Sequence, residues 1–203
     1  MSYPKFSVVG VPESETWQLF NVSNYQYYLL KVKDLIAGRC PFCDIDPAVN
    51  NVLFENASWR MWKNKVAPRS GQLHQFIIPS RRHIQRIDEI RPEEWVELFE
   101  MIIAVENRFD VHDGVLLVRN GDPSKNAKSV PHLHFNSQVP TGTERVEITV
   151  AKSFSDLEGT LSVLLVFEKM RQLELSGEKD PLSKIGEDER ALVVNRMVPP
   201  KAS

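Results

Sequence analysis

The sequence predicts an α+β fold in which an antiparallel sheet meander packs against helices. Three observations predict it. The strand-like runs come in groups with helices between the groups, without the regular strand–helix alternation of a parallel sheet. Trp95, Leu98, Phe99, Ile102, Val105 and Phe109 recur at intervals of three and four, which is the stripe of an amphipathic helix. In Ser129-Val-Pro-His-Leu-His-Phe-Asn-Ser-Gln138, His132, His134, Asn136 and Gln138 alternate with Leu133, Phe135 and Val139, the period of a strand.

In chain order, residues 1–14 contain Pro and Gly and are expected to form an extended arm. Tyr25, Tyr28, Leu29, Val32 and Leu35 have helical spacing, and Gly38 suits a C-cap, so a helix is expected over about 24–37. Val52–Glu55 and Trp59–Lys63, split by Asn56-Ala57-Ser58, read as a hairpin. A loop from Asn64 to Gln72 carries Pro68 and Gly71, and a third strand runs from Leu73 to Pro79 around Phe76-Ile77-Ile78. Pro92 suits the first position of a helix that continues to 109. Val115–Val118 is a short apolar run between turn signals and should be a buried strand. The His-bearing strand is expected over Val130–Gln138, and Val146–Val150 is a candidate for one more. Ser155 with Glu158 makes a capping box for a helix to about Leu173, with Leu157, Leu161, Leu164 and Leu165 on its stripe. Beyond Ser176 the chain turns charged and is expected to be an arm that packs on something, a second subunit being one candidate. The domain reading is an N-terminal extension with a helix over 1–39, a catalytic domain over 40–150, and a C-terminal helix with an extended tail over 151–203.

Charged residues make up 26% of the chain and the formal net charge is −2, as in ordinary globular proteins. That balance gives no bulk attraction to nucleic acid or to an anionic membrane. No apolar run approaches the ~20 residues that span a bilayer. The start, Met-Ser-Tyr-Pro-Lys, lacks a basic region followed by an apolar stretch, so a cytoplasmic protein is expected.

The two cysteines, Cys40 and Cys43, stand at the spacing from which two sulfurs reach one ion. In a cytosolic chain such a pair is seldom a structural disulfide. Zinc takes four thiolate or imidazole ligands, and five histidines are on offer: His74, His83, His112, His132 and His134. His112 lies in a turn after a helix and reads as a surface residue; His74 opens a strand and reads as a partly buried one. Composition leaves two sets open, Cys40, Cys43, His132, His134 and Cys40, Cys43, His83, His132. The first puts both neighbouring histidines on the metal; the second leaves His134 for other work. The loop Asn120 to Pro131 carries Ser124, Lys125, Lys128 and Ser129, and hydroxyls, amides and ammonium groups are what hold a phosphoryl group.

Taken together, Cys40-Pro-Phe-Cys43, Gly71 and His74 leading into Phe76-Ile-Ile-Pro79, then His83, and Ser129-Val-Pro-His-Leu-His134 resemble the histidine-triad (HIT) superfamily of nucleotidyl hydrolases and transferases. The resemblance covers about 40–138. It implies a HIT-like antiparallel sheet, a homodimer, and a structural Zn2+ held by Cys40, Cys43, His83 and His132. It implies His134 as the nucleophile on the α-phosphorus of a nucleotide or nucleotide-sugar substrate, through a covalent nucleotidyl-histidine. It further implies Asn64 on the ribose hydroxyls, and Asn120, Lys128 and Ser129 at the phosphate. Asn136 stands where the hydrolase branches carry a third histidine and the uridylyltransferase and dinucleoside-tetraphosphate phosphorylase branches carry Gln. A carboxamide donates a hydrogen bond but transfers no proton near neutral pH, so Asn136 leans toward transferase or phosphorylase chemistry or a slow hydrolase. The alternative is a nucleotide-binding or scaffold protein with a structural zinc and no turnover. A zinc-knuckle nucleic-acid binder is disfavoured by the slightly acidic chain, which lacks a basic stripe.

Overall fold

The computed structural model describes residues 3–45, 50–64, 71–122 and 126–197. The expected loop after the cysteine knuckle at 46–49, Pro68, Ser124, Lys125 and the tail beyond 197 lie outside the described residues. The elements are α1 (Tyr25–Ile36), β1 (Phe54–Glu55), β2 (Arg60–Lys63), β3 (Gln72–Pro79), α2 (Pro92–Phe109), β4 (Val115–Val118), β5 (His134–Pro140), α3 (Phe154–Leu175) and α4 (Glu187–Val193), with short 3-10 helices between them. They belong to two compact units. One holds the described residues of Cys40–Asp122 and Val130–Val150; the other holds those of Met1–Arg39, Pro123–Ser129 and Ala151–Pro199. Among the described residues no helix is long and apolar enough to cross a membrane.

The first unit is built on a five-stranded sheet in the order β1-β2-β3-β5-β4, antiparallel at every pairing. The hairpin turn is closed by the Asn56 side chain, whose Oδ1 accepts from the backbone of Ser58 and Trp59 at 3.1 and 2.8 Å. One face is the core. Met61, Phe76, Ile78, Phe135 and Val139 are buried there with Leu98, Met101 and Val105 of α2, three residues whose spacing of three and four puts them on one stripe. The indole of buried Trp59 donates to the carbonyl of Glu94 at 2.6 Å. The Glu94 carboxylate takes two bonds from Arg82, at 2.8 and 2.9 Å, and these hold it below the usual carboxylate range. Arg82 precedes His83, so this pair pins the turn after β3 to the start of α2.

β5 begins at His134, four residues later than expected. Pro131 has no N–H to offer a ladder. Leu133 is engaged elsewhere: its N–H donates to Ile84 O at 2.6 Å and its carbonyl accepts from Ser80 N at 3.2 Å. His132 is therefore outside the strand, whose polar face keeps His134, Asn136 and Gln138. The candidate strand Val146–Val150 is not formed. Its chain instead runs close to Gly71, where φ is +80° and a Cβ would meet Glu144 O at 2.9 Å, so both the conformation and the contact require glycine.

The second unit is helical. The expected arm is part of its core: Phe6 and Val8 are buried, and Glu13–Asn21 is a 3-10 helix that buries Leu19 and Phe20. Asn24 caps α1 by accepting from Tyr27 N at 2.9 Å. α3 opens one turn-fragment earlier than expected, because Ser153 and Asp156, rather than Ser155 and Glu158, cap each other. Its buried stripe is Leu157, Leu164, Phe167 and Met170, and Leu165 is exposed. Beyond Ser176 the chain does not extend: Pro181–Lys184 and α4 fold back, and Val193 is buried in the unit's own core.

Candidate functional site

The two cysteines sit on a tight turn in which Cys43 N and Asp44 N both donate to Cys40 O, each at 3.1 Å. Both thiols are free of disulfide. Among the described residues, Cys40, Cys43, His83 and His132 form the group able to hold a metal ion, their ligand atoms all lying within 4.8 Å of one another. His132 Nδ1 lies 3.3 Å from Cys40 Sγ and 3.5 Å from Cys43 Sγ, and His83 Nδ1 lies 3.1 Å from Cys43 Sγ. The set with His83 is thus brought together, and His134 is not part of it.

Hydrogen bonds fix the tautomer that ligation needs. His132 is fully buried, and its Nε2 lies 2.7 Å from the carbonyl oxygen of Ser80. A carbonyl only accepts, so Nε2 carries the proton and the Nδ1 lone pair is turned to the sulfurs. Removal of solvent from its sulfur, with the Cys40 thiol beside it, pushes Cys43 up to about 12, although the residue as a whole is exposed. A cation among the donors reverses that bias and holds thiolates. Two thiols and two imidazoles converging in this way fit a tetrahedral cation site.

His134 opens β5 paired with Pro79 of β3. Its Nδ1 donates to the carbonyl of His132 at 2.9 Å, which places the proton on Nδ1 and the lone pair on Nε2. Two backbone carbonyls, Ser80 O and His132 O, therefore orient the two imidazoles, with opposite nitrogens protonated. Phe42, between the two cysteines, sets its ring edge-on to both, with centroids 4.9 Å from His134 and 5.7 Å from His132. Sequence reasoning passed over Phe42; its place inside Cys-x-x-Cys was the available signal.

Asn136 lies on the His134 face of β5, 7% exposed, with its Oδ1 3.4 Å from Gln75 Nε2. Asn64 donates through Nδ2 to Gln75 Oε1 at 3.1 Å. Asn120 Oδ1 accepts from Ile87 N at 2.9 Å, so its side chain ties the chain after β4 to the short 3-10 helix Ile87–Glu89 within the sheet unit. Lys128 and Ser129 pack with the helical unit: Lys128 O accepts from Asn21 at 2.9 Å, and Ser129 Oγ lies 3.4 Å from the Tyr27 hydroxyl. His74 contacts Phe76 and Phe109, and its pKa is lowered by burial and by Lys63; His112 is exposed beside Asp110.

No protein-family model matches this chain, and no curated protein does. Among solved structures it is similar to histidine-triad proteins. A histidine-triad family hydrolase from Clostridium thermocellum shares 19% identity over 54% of this chain and 96% of its own, with a TM-score of 0.41. A zinc-bound histidine-triad family protein from Mycobacterium smegmatis shares 14% over 68% and 96%, with a TM-score of 0.37. The diadenosine triphosphate hydrolase of Plasmodium falciparum, solved with cyclomarin A, shares 14% over 66% and 82%, with a TM-score of 0.37.

Proposed function

We propose that this chain is a zinc-containing nucleotidyl transferase or hydrolase acting on a nucleoside phosphate ester or anhydride, of the dinucleoside polyphosphate or nucleotide-sugar type. The observation that carries the reading is the division between the two histidines: His132 turns a lone pair to Cys40 and Cys43, whereas His134, outside that cluster, has its lone pair on Nε2. In the first step His134 Nε2 attacks the α-phosphorus. An N–P bond forms, the P–O bond to the leaving group breaks, and that oxygen departs with the electron pair. In the second step water or a phosphate-bearing acceptor attacks the same phosphorus and releases the histidine.

Asn136 narrows the leaving group. Its carboxamide can donate a hydrogen bond to a phosphoryl oxygen but cannot protonate what leaves, so groups that depart as stable anions, such as a sugar phosphate or a polyphosphate, suit it best. The same residue is the observation behind a second reading, nucleotide binding without turnover. Asn64 and Asn120 of the sheet unit complete the proposed substrate contacts. Cys40, Cys43, His83 and His132 would hold the zinc, which would tie the knuckle, the turn after β3 and residue 132 together and so steady the carbonyl that orients His134. Nucleic acid and membrane are not among the proposed partners, and the proposed compartment is the cytoplasm.

The test is transfer of label from an α-labelled nucleotide to the protein. His134→Ala is expected to abolish it. Equal labelling of wild type and variant contradicts the role of His134, and tight nucleotide binding with no labelling or turnover favours the second reading.

A further inference from the structure

A carboxamide can face a ligand with either end, and which end Asn136 presents decides what it recognises. The neighbouring side chains settle the direction. Asn64 Nδ2 donates to Gln75 Oε1 at 3.1 Å, and the two residues are also tied by Asn64 N to Gln75 O at 2.9 Å. With its oxygen taken, Gln75 offers its NH2 group, and Nε2 lies 3.4 Å from Asn136 Oδ1. Asn136 is 7% exposed, and its Nδ2 has no hydrogen-bond partner among the described residues. A buried donor left without a partner is costly, so the arrangement is one that a ligand atom would relieve.

The surroundings define that atom. Gln75, Arg119, Asn136 and Gln138 line a concavity of about 40 Å³ on this face of the sheet. Gln72 donates to Gln138 Oε1, so the amide at the far wall is held as well. Arg119 donates to Thr149 O at 2.8 Å, which keeps a guanidinium at the rim. A space of this size admits a group of a few atoms and no more. A carboxamide donor beside a guanidinium suits a negatively charged oxygen.

We propose that Gln75 is a positioning residue that fixes the Asn136 carboxamide as a donor, and that this concavity is a subsite for one small oxyanion, a phosphoryl or carboxylate group. Only the claim that this oxyanion belongs to the substrate of His134 rests on the proposed function.

The experiment follows the side-chain 15N–1H signals of Asn136 while inorganic phosphate, or separately acetate, is added to the full chain. Saturable movement of these signals is expected in the wild type. Movement with phosphate alone identifies a phosphoryl group; movement with both admits a carboxylate. Gln75→Glu can only accept, so it turns the Asn136 NH2 inward and should weaken phosphate binding at least tenfold. Gln75→Met removes the donor without adding charge and should weaken it severalfold, with the backbone amide pattern of β2 and β3 retained. Asn136 signals that ignore both anions in the wild type, or phosphate affinity equal to wild type in both variants, overturn the proposal. Repeating the titration in His134→Ala separates the two readings: retained Asn136 movement with no nucleotidyl labelling in the wild type defeats the enzyme reading alone.

Discussion

His132 and His134 are two residues apart and have the same side chain, yet they hold their protons on opposite ring nitrogens. That difference follows from which carbonyl each one meets. Ser80 O takes the Nε2–H of His132, and the carbonyl of His132 takes the Nδ1–H of His134. Cys40→Ser and His83→Ala are each expected to lose about one bound zinc per chain, whereas His134→Ala keeps it, as elemental analysis of the purified variants will read. Retention by His83→Ala, with loss by His134→Ala, would return His134 to the ligand set. The spacing of the cysteines was readable from sequence because two sulfurs three positions apart reach one ion whatever the rest of the fold does. The choice between His83 and His134 was not, because it depends on the turn after β3 folding back so that Leu133 bonds Ile84 and Ser80. Periodicity carries no trace of that long-range pairing.

At the scale of elements, α2 and β4 match their sequence limits, since Pro92 and the turn signals around Val115–Val118 act locally, but β4 is not the buried strand expected: it lies at the sheet edge with Val115 and Leu116 exposed. β5 and α3 do not start where expected, for reasons equally physical. Pro131 and the Leu133 bonds delay the strand, and two overlapping Ser-x-x-acid boxes compete at 153–158, of which only the first is used. α3 is tied to α1 by a polar cluster that no local pattern announces. Glu168 accepts from the Tyr28 hydroxyl at 2.7 Å, from Arg171 at 2.7 and 2.8 Å, and from Gln172 at 2.7 Å. Burial pushes this carboxyl up, but the donors outweigh it and hold it below its ordinary value. A lowered folded-state pKa contributes stability above the unfolded value, near 4.3, that is lost as pH falls through the folded one. Glu168→Gln should therefore cost about 3 kcal/mol at pH 7, since it leaves Arg171 without its carboxylate, and the gap to wild type should close as the pH drops below about 4. Urea midpoints at the two pH values test this; an equal gap at both would contradict it.

For the whole molecule, the sequence suggested a central domain with extensions on either side, and the described residues on those two sides make one helical unit. Chain distance hides such partners: Tyr28 and Glu168 are 140 residues apart. The homodimer that the resemblance implies would find apolar surface on the sheet unit. Val96, Phe99 and Ile103 of α2 are exposed on one stripe, and β4 is an edge strand with Val115 and Leu116 exposed. A second copy covering such surfaces would remove the liability of an open strand edge. Phe99→Glu is then expected to shift the chain from dimer to monomer in sedimentation velocity; a monomeric wild type would contradict the assignment. The central claim, that His134 carries the nucleotidyl group, is tested most directly by locating the label after brief reaction with an α-labelled nucleotide, quenching in alkaline denaturant and peptide mapping kept above neutral pH. The account predicts one acid-labile, base-stable phosphoramidate on the peptide that contains His134. Label on any other residue, or turnover of substrate with His134 replaced by alanine, would contradict it.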